Sequence, residues 1–372
     1  MTFVIITHVP HIFHNNHYYG YAPYVREMNI WLKYVSKVII LAPLETGIPS
    51  AIHQHYSHLN IEFVPVANFD IKNFKSTLRT IFNLPSIFYK IFITFQKSHH
   101  IHLRCPGNMG LLGCLVQIAF PKTTKTAKYA GNWDPMTTNP WSYKLQKWIL
   151  NNQFITKNIK VLVYGKWGSS SINIKSFFTA SYFEYDKINT APRNFLNGIK
   201  FIFVGTLTTG KRPLYAIQLI HKLLKDDFNV ELTIFGDGVE KQNLEKYIIE
   251  NGLSKHIFIK GNQNEETLKK AYQENHFVIL PSESEGWPKA IAEGMFWRCV
   301  PMATNVSCIN EMLDFGNRGL ILELDLQVDF ENCKKLIENT KLYAAMSENS
   351  LNWSRKYTLD IFEQEIKLLL QA

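Results

Sequence analysis

The sequence predicts an α/β protein built from two doubly wound domains. The 372 residues exceed what one ordinary hydrophobic core accommodates. Apolar β-branched runs alternate with helical patterns along the chain, as in parallel sheets covered by helices. Residues 1–197 contain 20 Lys and Arg against 7 Asp and Glu (+13), and the rest contains 20 against 24 (−4), which sums to the +9 of the chain. This asymmetry favours two domains with different partners.

The composition argues against several classes of protein. Apolar residues make up 46% and charged residues 19% of the chain, which is typical of a folded protein. The five cysteines are odd in number and form no CxxC pair, which disfavours a disulfide framework or a zinc ribbon. Residues 1–8 lack the basic head of a signal peptide, and no uninterrupted apolar run reaches the roughly 18 residues of a membrane span. We therefore expect a cytoplasmic protein.

The first domain shows seven strand signals and three helix signals. The expected strands are Phe3–Val9, Lys37–Pro43, Ile61–Val66, 101–105, 126–130, Val161–Tyr164 and Phe177–Tyr182, and the expected helices are Val25–Tyr34, Phe74–Lys97 and Asn108–Phe120. Pro85 is expected to interrupt the second helix. That helix is apolar and flanked by lysines, so it either packs on the sheet, which is favoured, or docks on an anionic membrane surface. Residues 184–198, rich in Pro, Asn and Gly, are expected to link the domains.

Four histidines spaced three residues apart follow the first strand, namely His8, His11, His14 and His17. Metal-binding pairs on helices favour a spacing of four, and Pro10 and Gly20 indicate a loop, so a metal site is disfavoured. A loop at the carboxyl end of a parallel strand is where an α/β sheet binds ligands. We therefore expect His8 to contact a ligand, whereas His11 and His14 are expected to be surface residues without a role.

Two further strand ends of the first domain carry polar side chains. Arg104 lies at the end of one strand, and Asn132 and Asp134 follow the next. Asp134 is the only acidic residue between Asp70 and Glu184. A lone carboxylate in so basic a domain suggests a site residue, but an Asp-Pro turn gives the same pattern, and both interpretations stay open.

The same alternation recurs in the second domain. Strands are expected at Lys200–Leu207, Val230–Phe235, His256–Lys260, His276–Leu280, Cys299–Ala303 and 318–322. Helices are expected at 213–224, between 238 and 256, at Thr267–Asn275, from Pro288 onward, and at Asp329–Tyr343 and Leu359–Leu370. The loop after the first strand holds a glycine, Lys211 and Arg212, and Pro213 opens the next helix. Helix amides and two cations favour an anion, so this loop is expected to bind phosphate, although it is neither a P-loop nor GxGxxG.

The stretch Pro281–Asn305 has the most informative pattern in the chain. It follows a strand and contains an acidic turn, a helix opened by Pro288 and a second strand. Glu285 and Glu293 are separated by seven residues. This order is how an open α/β sheet builds a ligand site at the carboxyl ends of its strands.

Together these elements resemble family four of the retaining glycosyltransferases, which has the GT-B architecture. The matching segments are Phe203-Val204-Gly205 with Leu207 and Lys211, Gly236-Asp237-Gly238, Ile257 with Gly261, Pro281-Ser282, Glu285-Gly286 with Glu293, and Val300-Pro301 with Ala303. Each is weak alone, but their shared order is specific. The resemblance implies two Rossmann-like domains facing a central cleft: an acceptor domain at 1–190 and a nucleotide-sugar domain at 191–350. A C-terminal helix, 351–372, would cross back to the first domain.

The resemblance also implies roles for individual residues. Lys211, with Arg212, would bind the diphosphate, and Glu293 the ribose hydroxyls. Glu285 would hold the sugar and is the candidate catalytic or positioning group on the donor side. The remaining donor-side residues are Gly205, Thr206, Gly236, Gly261 near the base, and the turn Gly286, Trp287, Pro288 and Lys289. A UDP- or GDP-sugar would be the donor, and no metal is required because fixed cations and helix amides neutralise the leaving diphosphate.

The sequence departs from the family pattern on both sides. On the donor side, Thr206 replaces an arginine or similar group, Pro288 replaces a glycine, Gly294 follows the second glutamate, and Arg298-Cys299 replaces the glycine before Val-Pro. The first domain lacks the family's Gly-Gly loop, and its strand-five histidine is replaced within residues 131–134. The acceptor-side candidates are therefore His8, Arg104, Asn132 and Asp134, with Asp134 also a candidate for catalysis.

The resulting functional hypothesis is sugar transfer from a nucleotide-sugar to a hydroxyl of a glycan or lipid-linked glycan, in bacterial surface polysaccharide synthesis. The basic first domain would sit on the anionic inner face of the cytoplasmic membrane. One alternative is a nucleotide-sugar epimerase of the same architecture. A nucleic-acid-binding protein is the alternative from another class, given the sequence pI near 9.1, but no motif of such a protein is present.

Overall fold

The computed structural model describes residues 1–50, 52–67, 74–168 and 171–371, and the side chains of all of these except 74–83. Contacts divide the chain into two compact units, Met1–Phe178 with Glu363–Ala372, and Thr179–Phe362. Within the first unit, Glu363 accepts hydrogen bonds from Lys33 Nζ and Tyr34 Oη, each at 2.7 Å. The exact domain boundaries given by the sequence stay a prediction.

The first unit is a mostly parallel sheet with helices. Its strands are β1 (Thr2–Ile6), β2 (His11–His14), β3 (His17–Tyr21), β4 (Lys37–Glu45), β5 (His53–His55), β6 (Ile61–Val66), β7 (His100–Cys105), β8 (Thr124–Tyr129), β9 (Ile159–Tyr164) and β10 (Ile174–Phe177). Its helices are α1 (Ala22–Leu32), α2 (Phe74–Gln96), α3 (Asn108–Val116) and α4 (Trp141–Asn151). The parallel strands lie in the order β6-β4-β1-β7-β8-β9-β10. The strand order therefore reverses between β1 and β7.

The core of the first unit explains why its strands are continuous apolar runs. Val4, Ile6 and Leu103 are fully buried between helices, as expected for a parallel sheet covered on both faces. Ile91 and Phe95 of α2 belong to the same core, so this helix packs on the sheet, as the sequence analysis favoured.

The second unit is a six-stranded parallel sheet. Its strands are β11 (Ile199–Val204), β12 (Val230–Phe235), β13 (Ile257–Ile259), β14 (Phe277–Leu280), β15 (Val300–Thr304) and β16 (Leu320–Leu322), in the order β13-β12-β11-β14-β15-β16. Its helices are α5 (Pro213–Lys225), α6 (Lys241–Glu250), α7 (Glu265–Glu274), α8 (Lys289–Phe296), α9 (Ile309–Met312), α10 (Leu326–Glu338) and α11 (Thr340–Ser354); α12 (Leu359–Gln371) begins in this unit and ends in the first. This is the 3-2-1-4-5-6 order of Rossmann folds, and it reverses between β11 and β14.

Several expectations about the first unit were wrong. The loop expected after β1 is an antiparallel hairpin of β2 and β3, turned by Asn15 and Asn16 with φ of 46° and 59°. The strand expected at Phe177–Tyr182 lies earlier in the chain, at Ile174–Phe177. Helix α2 runs through Pro85 without interruption, since a proline removes one hydrogen bond without necessarily ending a helix.

Two further differences concern helices. The single helix expected at Asp329–Tyr343 is two helices, α10 and α11, with Asn339 between them capping α11 through its side chain. Helix α4 was not predicted. Among the described residues, no helix has both the length and the hydropathy of a membrane span.

Candidate active site

The charged centre of the second unit lies where its strand order reverses. Lys211 follows β11 and Glu285 follows β14, and Lys211 Nζ lies 2.5 Å from Glu285 Oε1. The Glu285 side chain is 9% exposed and that of Lys211 is 27% exposed. A backbone hydrogen bond of 2.8 Å from Glu283 N to Gly210 O also joins the two loops. The cation and the carboxylate predicted for the donor therefore meet at the place where open α/β sheets bind ligands.

The loop after β11 presents a helix N-terminus beside this pair. A short 3-10 turn, Thr209–Lys211, leads into α5, which begins at Pro213. Arg212 has φ of 49°, a left-handed conformation, and its Nη2 lies 3.8 Å from Glu283 Oε1. The first amides of α5 and two cations make this edge electrostatically suited to an anion.

Three predicted glycines converge on the same sheet edge. Gly205 N donates to Phe235 O at 3.0 Å, and Gly236 N donates to Gly261 O at 2.9 Å. Gly236 has φ of 148°, and a Cβ there would lie 1.8 Å from the carbonyl oxygen of Gly205. No larger residue fits at Gly236 without moving the neighbouring loop, so the ends of β11, β12 and β13 stay close together.

Glu293, on the first turns of α8, is hydrogen-bonded within the second unit. Ser181 Oγ donates to its Oε1 at 2.5 Å, and Tyr272 Oη donates to its Oε2 at 3.3 Å. Burial, followed by the charge of Glu293, raises the pKa of Tyr272. Glu293 lines a small cavity together with Ser181, Trp287, Lys289 and Tyr357. No local sequence pattern points to Ser181 or Tyr272, because they lie 112 and 21 positions from Glu293 along the chain.

The rest of the acidic turn is held by aromatic and backbone contacts. The Trp287 ring stacks near Trp353 with ring centroids 6.1 Å apart, and Ser307 Oγ donates to the Gly286 carbonyl at 2.8 Å. Pro288 is buried and precedes Lys289, the first residue of α8. Thr206 is exposed on the neighbouring loop. These residues lie on the same two connections as Lys211 and Glu285 or at the start of α8, and their binding roles stay predictions.

Two departures from the family pattern have a physical explanation here. A Cβ on Gly294 would lie 2.6 Å from Val278 Cγ1, so α8 packs on β14 too closely for a larger residue. Arg298 occupies a left-handed conformation with φ of 68°, the kind of position that favours glycine. Its side chain is held by Thr190 Oγ1 at 2.9 Å and Glu348 Oε2 at 2.6 Å.

In the first unit, His8 and Arg104 lie at the ends of adjacent strands, β1 and β7, where that sheet reverses its order. A Cβ on Gly107 would lie 2.9 Å from His8 Nδ1, so the imidazole packs against the start of α3. Arg104 Nη1 lies 3.7 Å from Glu27 Oε1, and its guanidinium lies 5.4 Å from the ring centre of Tyr24. The structure therefore brings these two acceptor-side candidates to one edge.

Asn132 and Asp134 both form turns. Asp134 N donates to Asn132 Oδ1 at 2.9 Å, and Met136 N donates to Asp134 Oδ1 at 2.8 Å. Lys147 Nζ donates to the Asp134 carbonyl at 3.1 Å. The turn interpretation of Asp134 is thus realised in the structure, and its catalytic role stays a prediction.

A buried ion group lies behind Arg104 and was missed by sequence reasoning. Lys128 is fully buried in β8, and its Nζ lies 2.9 Å from Glu27 Oε1 on α1. Lys128 Nζ also lies 5.4 Å from the ring centre of Phe177 and 5.5 Å from that of Tyr164. A lysine inside an otherwise apolar strand was the available signal, since such a residue is rarely buried without a partner.

His11 corrects the expectation of a surface residue. It is fully buried, and its ring nitrogens lie 2.8 Å from Tyr56 Oη and 2.8 Å from the Val9 carbonyl. Burial lowers the pKa of His11 to about 4, so the ring is neutral near pH 7. Among the described residues, no group of three or more His, Cys, Asp or Glu side chains is arranged to hold a metal ion.

Comparisons with known proteins agree with this geometry. Residues 186–353 match the family model described as glycosyl transferases group 1. An uncharacterized glycosyltransferase of Methanocaldococcus jannaschii is 30% identical over 159 residues, 42% of this chain and 43% of that protein. The capsular polysaccharide biosynthesis glycosyltransferase CapH of Staphylococcus aureus is 28% identical over 193 residues, 50% of each chain. These matches span half the length of the relatives or less.

A solved structure resembles the whole chain. The structure of HepE from Anabaena in complex with UDP and glucose covers 100% of this chain and 99% of its own, with a TM-score of 0.72 and 14% identity. At that identity the likeness establishes the fold alone. The fold is that of GT-B glycosyltransferases. Within it, residues 186–353, slightly less than half of the chain, match the glycosyl transferases group 1 model.

Proposed function

We propose that this protein transfers a sugar from a nucleotide-sugar to a hydroxyl group of a glycan or lipid-linked glycan, with retention at the sugar carbon. The observation that carries the proposal is the Lys211–Glu285 pair, 2.5 Å apart, at the reversal point of the second sheet. The pair offers a cation to the leaving diphosphate and a carboxylate to sugar hydroxyls from two neighbouring loops.

In this proposal the nucleotide lies along the ends of β11, β12 and β13. Lys211 and Arg212, with the first amides of α5, neutralise the diphosphate as the bond to the sugar breaks. The Glu293 carboxylate accepts hydrogen bonds from the ribose hydroxyls, which replace the hydrogen bond that Ser181 Oγ donates to it at 2.5 Å. The glycine-lined edge at Gly205, Gly236 and Gly261 admits the nucleoside.

Glu285 acts on the sugar as a positioning group. It is 9% exposed and paired with Lys211, so its carboxylate has a fixed direction. In a retaining transfer, the acceptor hydroxyl attacks on the face that the diphosphate leaves, and a departing phosphate oxygen takes its proton. The acceptor-side candidates are His8, Arg104, Asn132 and Asp134, all in the first unit.

The donor class and the acceptor class rest on the relatives. Because the HepE structure is a complex with UDP and glucose, UDP-sugars are the first donors to test, followed by GDP-sugars. CapH is named for capsular polysaccharide biosynthesis, which supports a surface glycan or its lipid-linked precursor as acceptor. We also propose that the basic first domain works at an anionic membrane surface in the cytoplasm.

The test has two stages. A thermal-shift panel of UDP, GDP and their sugars identifies the nucleotide, because a ligand stabilises the protein that binds it. The chosen donor is then incubated with and without oligosaccharide acceptors, and products are analysed by mass spectrometry and NMR. We expect acceptor-dependent transfer that keeps the anomeric configuration. Conversion of the donor alone to its epimer would show an epimerase, and no stabilisation by any nucleotide would contradict the donor site.

A further inference from the structure

One surface of the first unit exposes large aromatic side chains beside a lysine. On α4, Trp141, Lys144 and Trp148 are spaced i, i+3 and i+7, which puts them on one side of the helix. Trp141 is 73% exposed and Trp148 is 58% exposed, and Lys144 is exposed between them. The other side of the helix buries Ile149 and Leu150 in the core. The helix therefore presents apolar side chains both to the core and to solvent.

Two more large apolar side chains are exposed near the C-terminal end of α4. Phe154 is 89% exposed and Ile172 is 85% exposed. The two neighbours of Ile172 hold it beside the helix. Ser171 Oγ donates to Asn151 Oδ1 at 2.9 Å, and Asn173 Nδ2 donates to the Leu150 carbonyl at 2.8 Å. We call Trp141, Lys144, Trp148, Phe154 and Ile172 the α4 face.

The charged residues of the segment that carries the α4 face have one sign. Lys157 and Lys160 are exposed just beyond Phe154, and the sequence contains no Asp or Glu between Asp134 and Glu184. Exposed apolar side chains grouped in this way mark an interaction surface. Tryptophan and phenylalanine with lysine, and without carboxylates, is the composition that binds at the interface of an anionic bilayer. A second copy docked through its own α4 face would instead bring the lysines of the two faces together with no carboxylate of either face to pair with them.

The α4 face is coupled to the acceptor-side candidates through its helix. Lys147, on a different side of α4, donates to the Asp134 carbonyl at 3.1 Å. The loop from Asn132 leads directly into the helix, and Met136 within it is 89% exposed. A bilayer bound by the α4 face therefore lies next to the loop expected to meet the acceptor.

We propose that the α4 face docks this protein on a bilayer that contains anionic lipids. Trp141, Trp148 and Phe154 enter the headgroup region, and Lys144 faces lipid phosphates. This deepens the proposed function by naming the membrane-binding surface, and it accounts for a lipid-linked acceptor only if that function holds. Docking on the bilayer depends on the side chains of the α4 face and does not require the proposed sugar transfer.

The experiment is cosedimentation of the full chain with vesicles of phosphatidylcholine, alone or with one third phosphatidylglycerol, at low and high salt. The test variants are W141S/W148S and K144E. The control variants are Leu59→Ser, which removes a side chain that is 101% exposed elsewhere in the first unit, and Lys246→Glu in the second unit, where the lysine is 73% exposed. Nucleotide binding is measured in parallel by calorimetry.

We expect binding to anionic vesicles that weakens with salt, falls about tenfold or more in W141S/W148S and severalfold in K144E, and is unchanged in both controls. Brominated lipids should quench tryptophan fluorescence in the parent and much less in W141S/W148S. Absence of binding to anionic vesicles at low salt, or equal binding by all variants, would overturn the proposal. A change of oligomeric state in W141S/W148S without vesicle binding in the parent would also overturn it and favour a second copy. Unchanged nucleotide binding throughout separates these outcomes from failure of the proposed function.

Discussion

The two sheets reverse their strand order at corresponding places, yet the two places are built differently. In the second unit, Lys211 and Glu285 come from two loops and Lys211 remains 27% exposed, near Gly236, whose lack of a side chain lets two strand ends approach closely. In the first unit, Lys128 is fully buried and Arg104 is 16% exposed, and both face Glu27. Both units thus place charged side chains near the ends of their strands, and among these three cations that of the second unit is the most exposed.

The largest effect is expected from the buried ions of the first unit. Glu27→Ala removes the carboxylate that faces Lys128 and Arg104, and should lower the free energy of unfolding by about 3–5 kcal/mol, because a buried charge loses its partner. Urea denaturation measures it. Glu62→Ala is the matched control, since this carboxylate pairs with Lys37 at 2.6 Å but is 36% exposed, and should cost about 1 kcal/mol or less. Equal losses would mean that the Glu27 group is not a buried ion network.

The next effect concerns the accessible cation of the second unit. Lys211→Ala should weaken binding of the nucleoside diphosphate by about 10- to 100-fold, because a charge-assisted contact worth roughly 1.5–3 kcal/mol is lost. Calorimetry measures it, with Lys246→Ala as control because that lysine is 73% exposed. Unchanged affinity in Lys211→Ala would place the diphosphate elsewhere.

A smaller effect is expected at Glu293. Glu293→Ala should reduce nucleotide affinity by about tenfold, which corresponds to about 1.4 kcal/mol, while the protein stays folded. Ser181→Ala serves as the comparison: Ser181 donates to Glu293 at 2.5 Å, and its removal frees the carboxylate for ribose, so affinity should hold or rise. If both variants bind the nucleotide like the parent, Glu293 is only a solvated helix carboxylate.

The last prediction concerns the pH dependence of the first unit's stability. Burial lowers the pKa of His100 to about 4 and that of His102 to about 3, below the ordinary value of 6.5. The unfolded chain therefore takes up protons first, and stability that is present above pH 6.5 is lost as the pH falls towards 4, at up to about 1.4 kcal/mol per pH unit for each ring. His102→Leu should flatten this slope in urea denaturation between pH 7 and 5. Leu59→Ser, which changes an exposed side chain that does not titrate, should leave it unchanged. A slope unaffected by His102→Leu would contradict the assignment.

The sequence predicted what depends on neighbours along the chain. The loops with Lys211, Gly236, Gly261 and Glu285 follow recognisable strands, and parallel strands put their carboxyl ends on one edge, so these residues were expected to meet. Arg298 shows the limit: a left-handed position was hidden because an arginine, held by distant side chains, occupies it.

Contacts between distant segments could not be predicted. Glu27 of α1 meets Lys128 of β8, and Ser181 reaches Glu293 across 112 positions. His11 is buried because its loop became a hairpin that pairs with β4 and covers the ring with Tyr56. In each case tertiary packing decided the outcome, and no local pattern encodes it.

The most direct test is an experimental structure of the full chain with a bound nucleoside diphosphate. The account predicts diphosphate oxygens within about 2.7–3.2 Å of Lys211 Nζ and ribose hydroxyls at the same distance from the Glu293 carboxylate. Nucleotide bound in the first unit, or in the second unit away from the ends of β11 and β14, would contradict it.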